Sequence, residues 1–156
     1  MDQSDRSHIP EWSPARPGAS GWRQQLSELA LACAGSFPAD EVQRLMELRR
    51  LLASAPAPSM VRGLAVPSSE RLNQLIAADA SESAALAMLG PDCGYLLSRG
   101  AGGQHLASII LPGAEEEMSA GGDSMALALV SAVALALIEA ESEPGTPQRK
   151  RRNRLN

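Results

Sequence analysis

Residues 125–138 read MALALVSAVALALI, and Ser131 is the only polar side chain among these fourteen residues. A helix of this length spans about 21 Å, which is less than the roughly 30 Å of hydrocarbon in a bilayer. A helix that is apolar on every side must be covered by protein on more than one side. Asp123 and Ser124 precede it as N-cap candidates. The sequence thus predicts a buried core helix with the other elements packed around it.

Charge is distributed unevenly along the 156 residues. Residues 1–148 contain nine arginines and eighteen acidic side chains, a net charge of −9, whereas residues 149–156 carry five basic side chains and no acidic one. The basic residues of this tail are Arg149, Lys150, Arg151, Arg152 and Arg154. An acidic body with a basic tail predicts that the tail contacts nucleic-acid phosphates or an acidic partner, or that it only aids solubility.

Cysteine usage and the first residues of the chain bear on the cellular compartment. Cys33 and Cys93 have no metal-ligand spacing and are too few for a disulfide framework, which is typical of a reducing compartment. The N-terminal residues contain no apolar run of the kind that a secretory signal needs. The sequence therefore predicts a cytoplasmic protein with free thiols and no membrane association.

The first third of the chain predicts a flexible arm followed by a helical hairpin. Residues 1–20 concentrate Ser, Pro, Gly and charge with little to bury. Residues 21–53 contain two apolar stripes at helical spacing, separated at Gly35, which indicates two antiparallel helices. Trp22 is the largest apolar side chain of the first stripe, and we expect it to be the buried anchor of a contact with a partner or with the rest of the chain.

Three arginines on the second predicted helix, Arg44, Arg49 and Arg50, invite comparison with helix-turn-helix DNA binding. A recognition helix normally carries polar side chains that read bases, whereas this one intersperses its arginines with Glu41 and Glu47. The pattern favours a solvated face on a hairpin that serves in interaction or oligomerisation.

Composition changes again after the hairpin. Residues 54–67 are rich in proline and predict a linker, with the stretch 60–66 extended against the body. Residues 68–142 then predict one α+β domain, and residues 143–156 predict a disordered basic tail. Gly90, followed by proline, predicts a left-handed residue that stops a helix.

Within residues 68–142 the order of elements reads α-β-β-β-α. The predicted strands are residues 95–98, 104–111 and 115–120. The glycine-rich loop between the first two suits a hairpin. Neither face of the second strand is purely polar, which predicts a central position in a three-stranded antiparallel sheet. Glu115, Glu116 and Glu117 are predicted to lie on an edge strand and to discourage pairing with another sheet.

Residues that suggest chemistry have simpler explanations here. Gly100, Gly102 and Gly103 superficially match a phosphate loop, but they join two strands and lack the following helix. His105 has no second ligand nearby in sequence, and Cys93 has no adjacent base that would activate a thiolate. The sequence predicts no catalytic residues, no metal and no cofactor.

Three stretches together carry a resemblance to a known family. They are SESAALAML at residues 81–89, GPDCGYLLSRG at residues 90–100 and GGDSMALALVSAVALAL at residues 121–137. They resemble the phage-type α-β-α sandwich domain of small phage and prophage-derived proteins, over about residues 68–142. The usual Thr-Pro opening of the last helix is replaced by Asp-Ser-Met. The resemblance implies a fold and a phage-like context, and it implies no catalytic residues.

These observations predict an α+β protein in which a helical hairpin precedes the sheet domain. The expected function is that of a non-enzymatic accessory or protein-interaction module, with the hairpin or the sheet as contact surface and another protein or a second copy as partner. The alternative is a nucleic-acid-associated protein that binds weakly and without sequence preference through its basic tail.

Overall fold

A computed structural model describes residues 18–142 of the chain. Its helices are α1 (Ala19–Ala34), α2 (Glu41–Ala53), α3 (Ser69–Ala77), α4 (Ser81–Leu86) and α5 (Met125–Ser142), and its strands are β1 (Gly94–Arg99), β2 (His105–Ile110) and β3 (Met118–Gly122). Short 3₁₀ turns at Pro38–Asp40 and Pro58–Val61 join the first helices. The predicted α+β class is confirmed, with an N-terminal helix pair and a three-stranded antiparallel sheet.

Helix α5 lies at the centre of the molecule. It contacts α1, α2 and α4 on its helical side and β2 and β3 on its sheet side. Every side chain of residues 126–134 is buried. The hydroxyl of Ser124 accepts a hydrogen bond from the backbone N–H of Leu127 at 3.2 Å, so the predicted serine cap is present. Among residues 18–142, no helix is both long enough and apolar enough to cross a bilayer.

The sheet is an antiparallel meander in the order β1-β2-β3, so β2 is central as predicted. The first two strands are joined by the predicted hairpin loop, in which Gly100 donates its N–H to the carbonyl of Gln104 at 2.9 Å. Gly103 in this loop has a φ of +82°, a conformation that strongly favours glycine.

Strand β3 begins three residues later than predicted. It starts at Met118, so Glu115, Glu116 and Glu117 lie in the preceding loop and do not protect the sheet edge. The strand consists mostly of small residues, of which Ala120 and Gly122 face α5. At Gly122, a Cβ atom would come within 2.7 Å of the backbone nitrogen of Ala128, which leaves room for glycine alone.

Helices α1 and α2 form the predicted antiparallel hairpin. Trp22, near the start of α1, donates its indole N–H to the carbonyl of Leu51 near the end of α2 at 2.8 Å. Its side chain is completely buried. The buried faces of both helices and α5 belong to one continuous hydrophobic cluster.

The segment 54–67 packs against the body of the protein. Met60, Val61 and Leu64 contact the core cluster. Two backbone hydrogen bonds tie this segment to the residues that follow α4, from Ala65 N to Met88 O at 2.9 Å and from Gly90 N to Gly63 O at 2.8 Å. The left-handed conformation predicted for Gly90 is wrong. This position is constrained by packing instead, because a Cβ atom there would lie 2.5 Å from the carbonyl oxygen of Gly63.

We expect the substitution Leu129→Ala to lower the free energy of unfolding by about 2–5 kcal/mol, because it removes a core side chain from α5 and leaves a cavity. Leu129 is 1% exposed, whereas Leu31 on α1 is 75% exposed. The matched control Leu31→Ala should therefore change stability by less than about 0.5 kcal/mol. Urea denaturation measures both. Equal unfolding midpoints for the two variants would contradict the central position of α5.

Candidate interaction surface

The sheet has one face covered by α5 and one face that points away from it. Cross-strand neighbours in an antiparallel sheet project to the same side. Ala107 and Ile109 of β2 are completely buried on the α5 side. The register places the following residues on the opposite side, which we call the outer face: Gly94, Leu96 and Ser98 of β1, Leu106, Ser108 and Ile110 of β2, and Ser119 and Gly121 of β3.

The outer face is aliphatic and carries no charge. Leu96 is 61% exposed, Leu106 is 44% exposed and Ile110 is 37% exposed. Each cross-strand row of this face contains one of these large side chains, and the other positions are only glycine or serine. A solvated face of an antiparallel sheet is usually polar. An exposed apolar patch of this kind is typical of an interaction surface.

The central polar groups of the outer face satisfy each other. The hydroxyl oxygens of Ser108 and Ser119 are 2.6 Å apart, which makes a hydrogen bond between β2 and β3. Ser108 is only 4% exposed, because its neighbours cover it. Covering this face would therefore leave the Ser108 hydroxyl with its partner, so the serines do not oppose burial.

Four other large apolar side chains are exposed, on α1, on α2 and on the turn between them. They are Leu31, Phe37, Val42 and Met46. The carboxylate of Asp40 accepts a hydrogen bond from the backbone N–H of Phe37 at 2.8 Å, which fixes the turn that holds this aromatic ring outward. The apolar stripes predicted for the two helices do not include Leu31 or Phe37, because both side chains lie outside the buried faces.

A groove of 480 Å³ is lined by α1, the edge strand β3 and α5. Its floor is formed by α5. The lining residues are Ser27, Ala30, Leu31 and Ala34 of α1, Ala120 and Gly121 of β3, and Ser131, Leu135 and Ile138 of α5. None of these side chains is charged, so the groove is suited to an apolar occupant.

A smaller cleft of 190 Å³ lies beneath the loop before β3. Glu115, Glu116 and Glu139 line it together with Arg62 and several apolar side chains. Within residues 18–142, no group of three or more His, Cys, Asp or Glu side chains is placed to hold a metal ion. His105 is half-buried in β2, and its Nδ1 atom has no hydrogen-bond partner in the described part of the chain.

Both cysteines are free thiols, as the sequence predicts, and both are buried. Burial raises the pKa of Cys33 from its ordinary value of 9.0 to about 12, with smaller effects from Arg44, which lowers it, and Glu47, which raises it. Burial also raises the pKa of Cys93. Each thiol is therefore protonated at neutral pH and is a poor nucleophile.

The three arginines of α2 are engaged with the chain itself. Arg44 donates to the hydroxyl of Ser36 at 3.0 Å and forms an ion pair with Glu47 at 3.1 Å. Arg49 donates to a backbone carbonyl, that of Pro67, at 2.7 Å. Arg50 donates to the side-chain oxygen of a glutamine on α1 at 3.2 Å. These contacts favour a structural role for the guanidinium groups over phosphate binding.

The other predicted contact residues divide into two groups. Trp22, a predicted anchor for a partner or for the rest of the chain, has no exposed surface and contributes to the internal packing of the hairpin. The basic residues Arg149, Lys150, Arg151, Arg152 and Arg154 lie outside the described residues. The sequence predicts the hairpin or the sheet as contact surface, without naming residues of the sheet. Comparison with known proteins finds no matching family model, no similar curated protein and no similar solved structure.

The buried thiol of Cys33 predicts a defined dependence of stability on pH. Its pKa is raised in the folded state, so the folded protein holds this proton more tightly than the unfolded chain. The contribution to stability is fully present below pH 9 and is lost as the pH rises from about 9 towards 12. Urea denaturation at pH 8 and at pH 10.5 should show a smaller loss for Cys33→Ala than for the wild type. Identical losses in the two proteins would contradict the raised pKa.

Proposed function

We propose that this chain is a non-enzymatic protein-interaction module that self-associates through the outer face of its sheet. The observation that carries the proposal is the exposure of Leu96, Leu106 and Ile110 on a face without a single charged side chain. Covering such side chains removes apolar surface from water, at roughly 25 cal/mol per Å². The occupant that we propose is a second copy of the same chain.

Charge is compatible with a second copy at this place. Residues 18–142 contain seven arginines and fourteen acidic side chains, a net charge of −7. Two such bodies repel each other wherever carboxylates would meet. The outer face has no carboxylate, so two copies can approach there without this repulsion.

The distribution of large and small side chains on the outer face also suits a two-fold arrangement. Its large side chains stand on β1 and β2, whereas β3 presents only Ser119 and Gly121. A two-fold axis would place the aliphatic side of one sheet over the low β3 side of the other, so that each copy supplies the same patch. Two sheet faces pack in this way at a separation of about 10 Å.

The size of the face limits the strength of this association. Three strands about 4.8 Å apart and about 20 Å long make a face of roughly 300 Å². A standard stable interface covers about 800 Å² on each partner. The dimer should therefore be weak and should depend on protein concentration in the micromolar range or above.

Sedimentation velocity over a range of concentrations tests the proposal. The wild-type chain should shift from monomer to dimer as its concentration rises, and Leu96→Asp should remain monomeric because each copy would bury an unpaired carboxylate. Leu96 is exposed in the monomer, so the variant should fold, which circular dichroism checks. The matched control Leu31→Asp makes the same change outside the outer face and should dimerise like the wild type. A wild type that stays monomeric throughout, or a dimer that survives Leu96→Asp, would refute the proposal.

The proposed setting is the cytoplasm, in a phage-like context. The free, buried thiols Cys33 and Cys93 support a reducing compartment. The phage-like context is supported by the resemblance of residues 81–100 and 121–137 to the phage-type α-β-α sandwich domain. An accessory protein that works by self-association requires no catalytic group, and its contact surface is the sheet.

A further inference from the structure

Strand β3 has one strand neighbour in the described part of the chain, so its other edge is unpaired. Along such an edge, alternate backbone N–H and C=O groups point away from the sheet and are free to bond another strand. In this protein the free edge opens into the groove beside α1, where Ala120 and Gly121 form one wall. The unpaired edge is therefore combined with an apolar cavity.

The opposite wall is a second apolar face of α1. Ala30, Leu31 and Ala34 recur at helical spacing along the groove, and Leu31 is 75% exposed. Leu135 of α5 is half-buried at the floor. A strand edge facing an apolar helix across a groove is the arrangement by which several peptide-binding domains add an extended ligand strand to a sheet.

Hydrogen bonding selects an extended occupant over a helical one. A helix satisfies its own backbone groups, so it would leave the free N–H and C=O groups of β3 without partners. An extended segment bonds these groups with its backbone, and its alternate side chains project to the α5 side of the sheet, into the groove. The segment that pairs with the five residues of β3 is about five residues long.

The charged residues beside β3 indicate which residues should stand at the two ends of the bound segment. Glu117 immediately precedes the strand and Asp123 immediately follows it, and both are exposed. The lining of the groove between these ends is uncharged. An occupant with basic residues at both ends and aliphatic residues between them matches this distribution.

We infer that the groove between α1 and β3 binds an extended segment of a partner protein as a fourth strand of the sheet. The segment carries small or aliphatic side chains at alternate positions and Lys or Arg at its two ends. This site uses the edge of β3 and the side of α1, whereas the proposed dimer contact uses the outer face, and of the residues named for the two sites they share only Gly121.

Selection from a random seven-residue peptide display library against the full-length chain tests the inference. Seven residues allow five to pair with β3 and one to lie beyond each end. Enriched peptides should show alternating aliphatic residues between basic ends. The tightest one is then synthesised, and its affinity is measured by fluorescence anisotropy. Absence of enrichment over an uncoated support would overturn the inference.

Two variants distinguish peptide binding in this groove from contacts made through the outer face. Leu31→Asp places a carboxylate in the apolar groove and should weaken binding of the selected peptide by about tenfold or more. Leu96→Asp should leave peptide affinity unchanged, although it abolishes self-association. Peptide binding that survives Leu31→Asp would show that the peptide binds elsewhere. If Leu31→Asp abolished self-association, a second copy would be the occupant of the groove, and the inference of a partner segment would be wrong.

Backbone methylation of the same peptide tests the strand geometry. An added strand directs every second N–H towards β3, so N-methylation at those positions should abolish binding, whereas methylation at the positions between them should have little effect. Hydrogen exchange of the β3 amides should also slow when the peptide is bound. A methylation profile without this two-residue period would refute strand addition even if the peptide lies in the groove.

Discussion

The requirement that α5 be covered on all its sides determines the arrangement of the other elements. Its side chains at residues 126–134 are all buried, although no one neighbour can cover more than part of a helix. The inner face of the sheet covers one side, and α1, α2 and α4 cover the others. With α5 on one side of the sheet, the outer face is left open. The central helix thus explains both the continuous core and the exposed aliphatic face.

The position of α1 follows from the same requirement. It packs along α5 and reaches β3 only at the edge of the sheet. The small residues Ala120 and Gly121 do not fill the space between this edge and α1, and the groove is the result. Close packing at Gly122 and an open groove at Gly121 therefore occur in consecutive residues of one strand.

Much of the fold could be predicted from local patterns. The apolar run at residues 125–138, the two helical stripes of the hairpin and the period of two in β2 each indicate an element without knowledge of its neighbours. The start of β3 could not be predicted in this way, because its small residues have no hydrophobic period. The constraint on Gly90 depends on Gly63, which is distant in sequence. The groove lies between α1 and β3, which are distant in sequence, so it has no local signal.

The contact between Gly63 and Gly90 has a consequence for local unfolding. The hydrogen bond between Gly90 and Gly63 and the one between Ala65 and Met88 join the two ends of the segment that contains α3 and α4. Helix α3 has one fully buried side chain, Leu72, with Leu75 and Ile76 partly buried, so less apolar surface holds it to the core than holds α5. Helix α3 can therefore unfold locally while α4, these hydrogen bonds and α5 stay intact. Amide protons of α3 are expected to exchange with solvent through this partial opening, at a lower free-energy cost than those of α5.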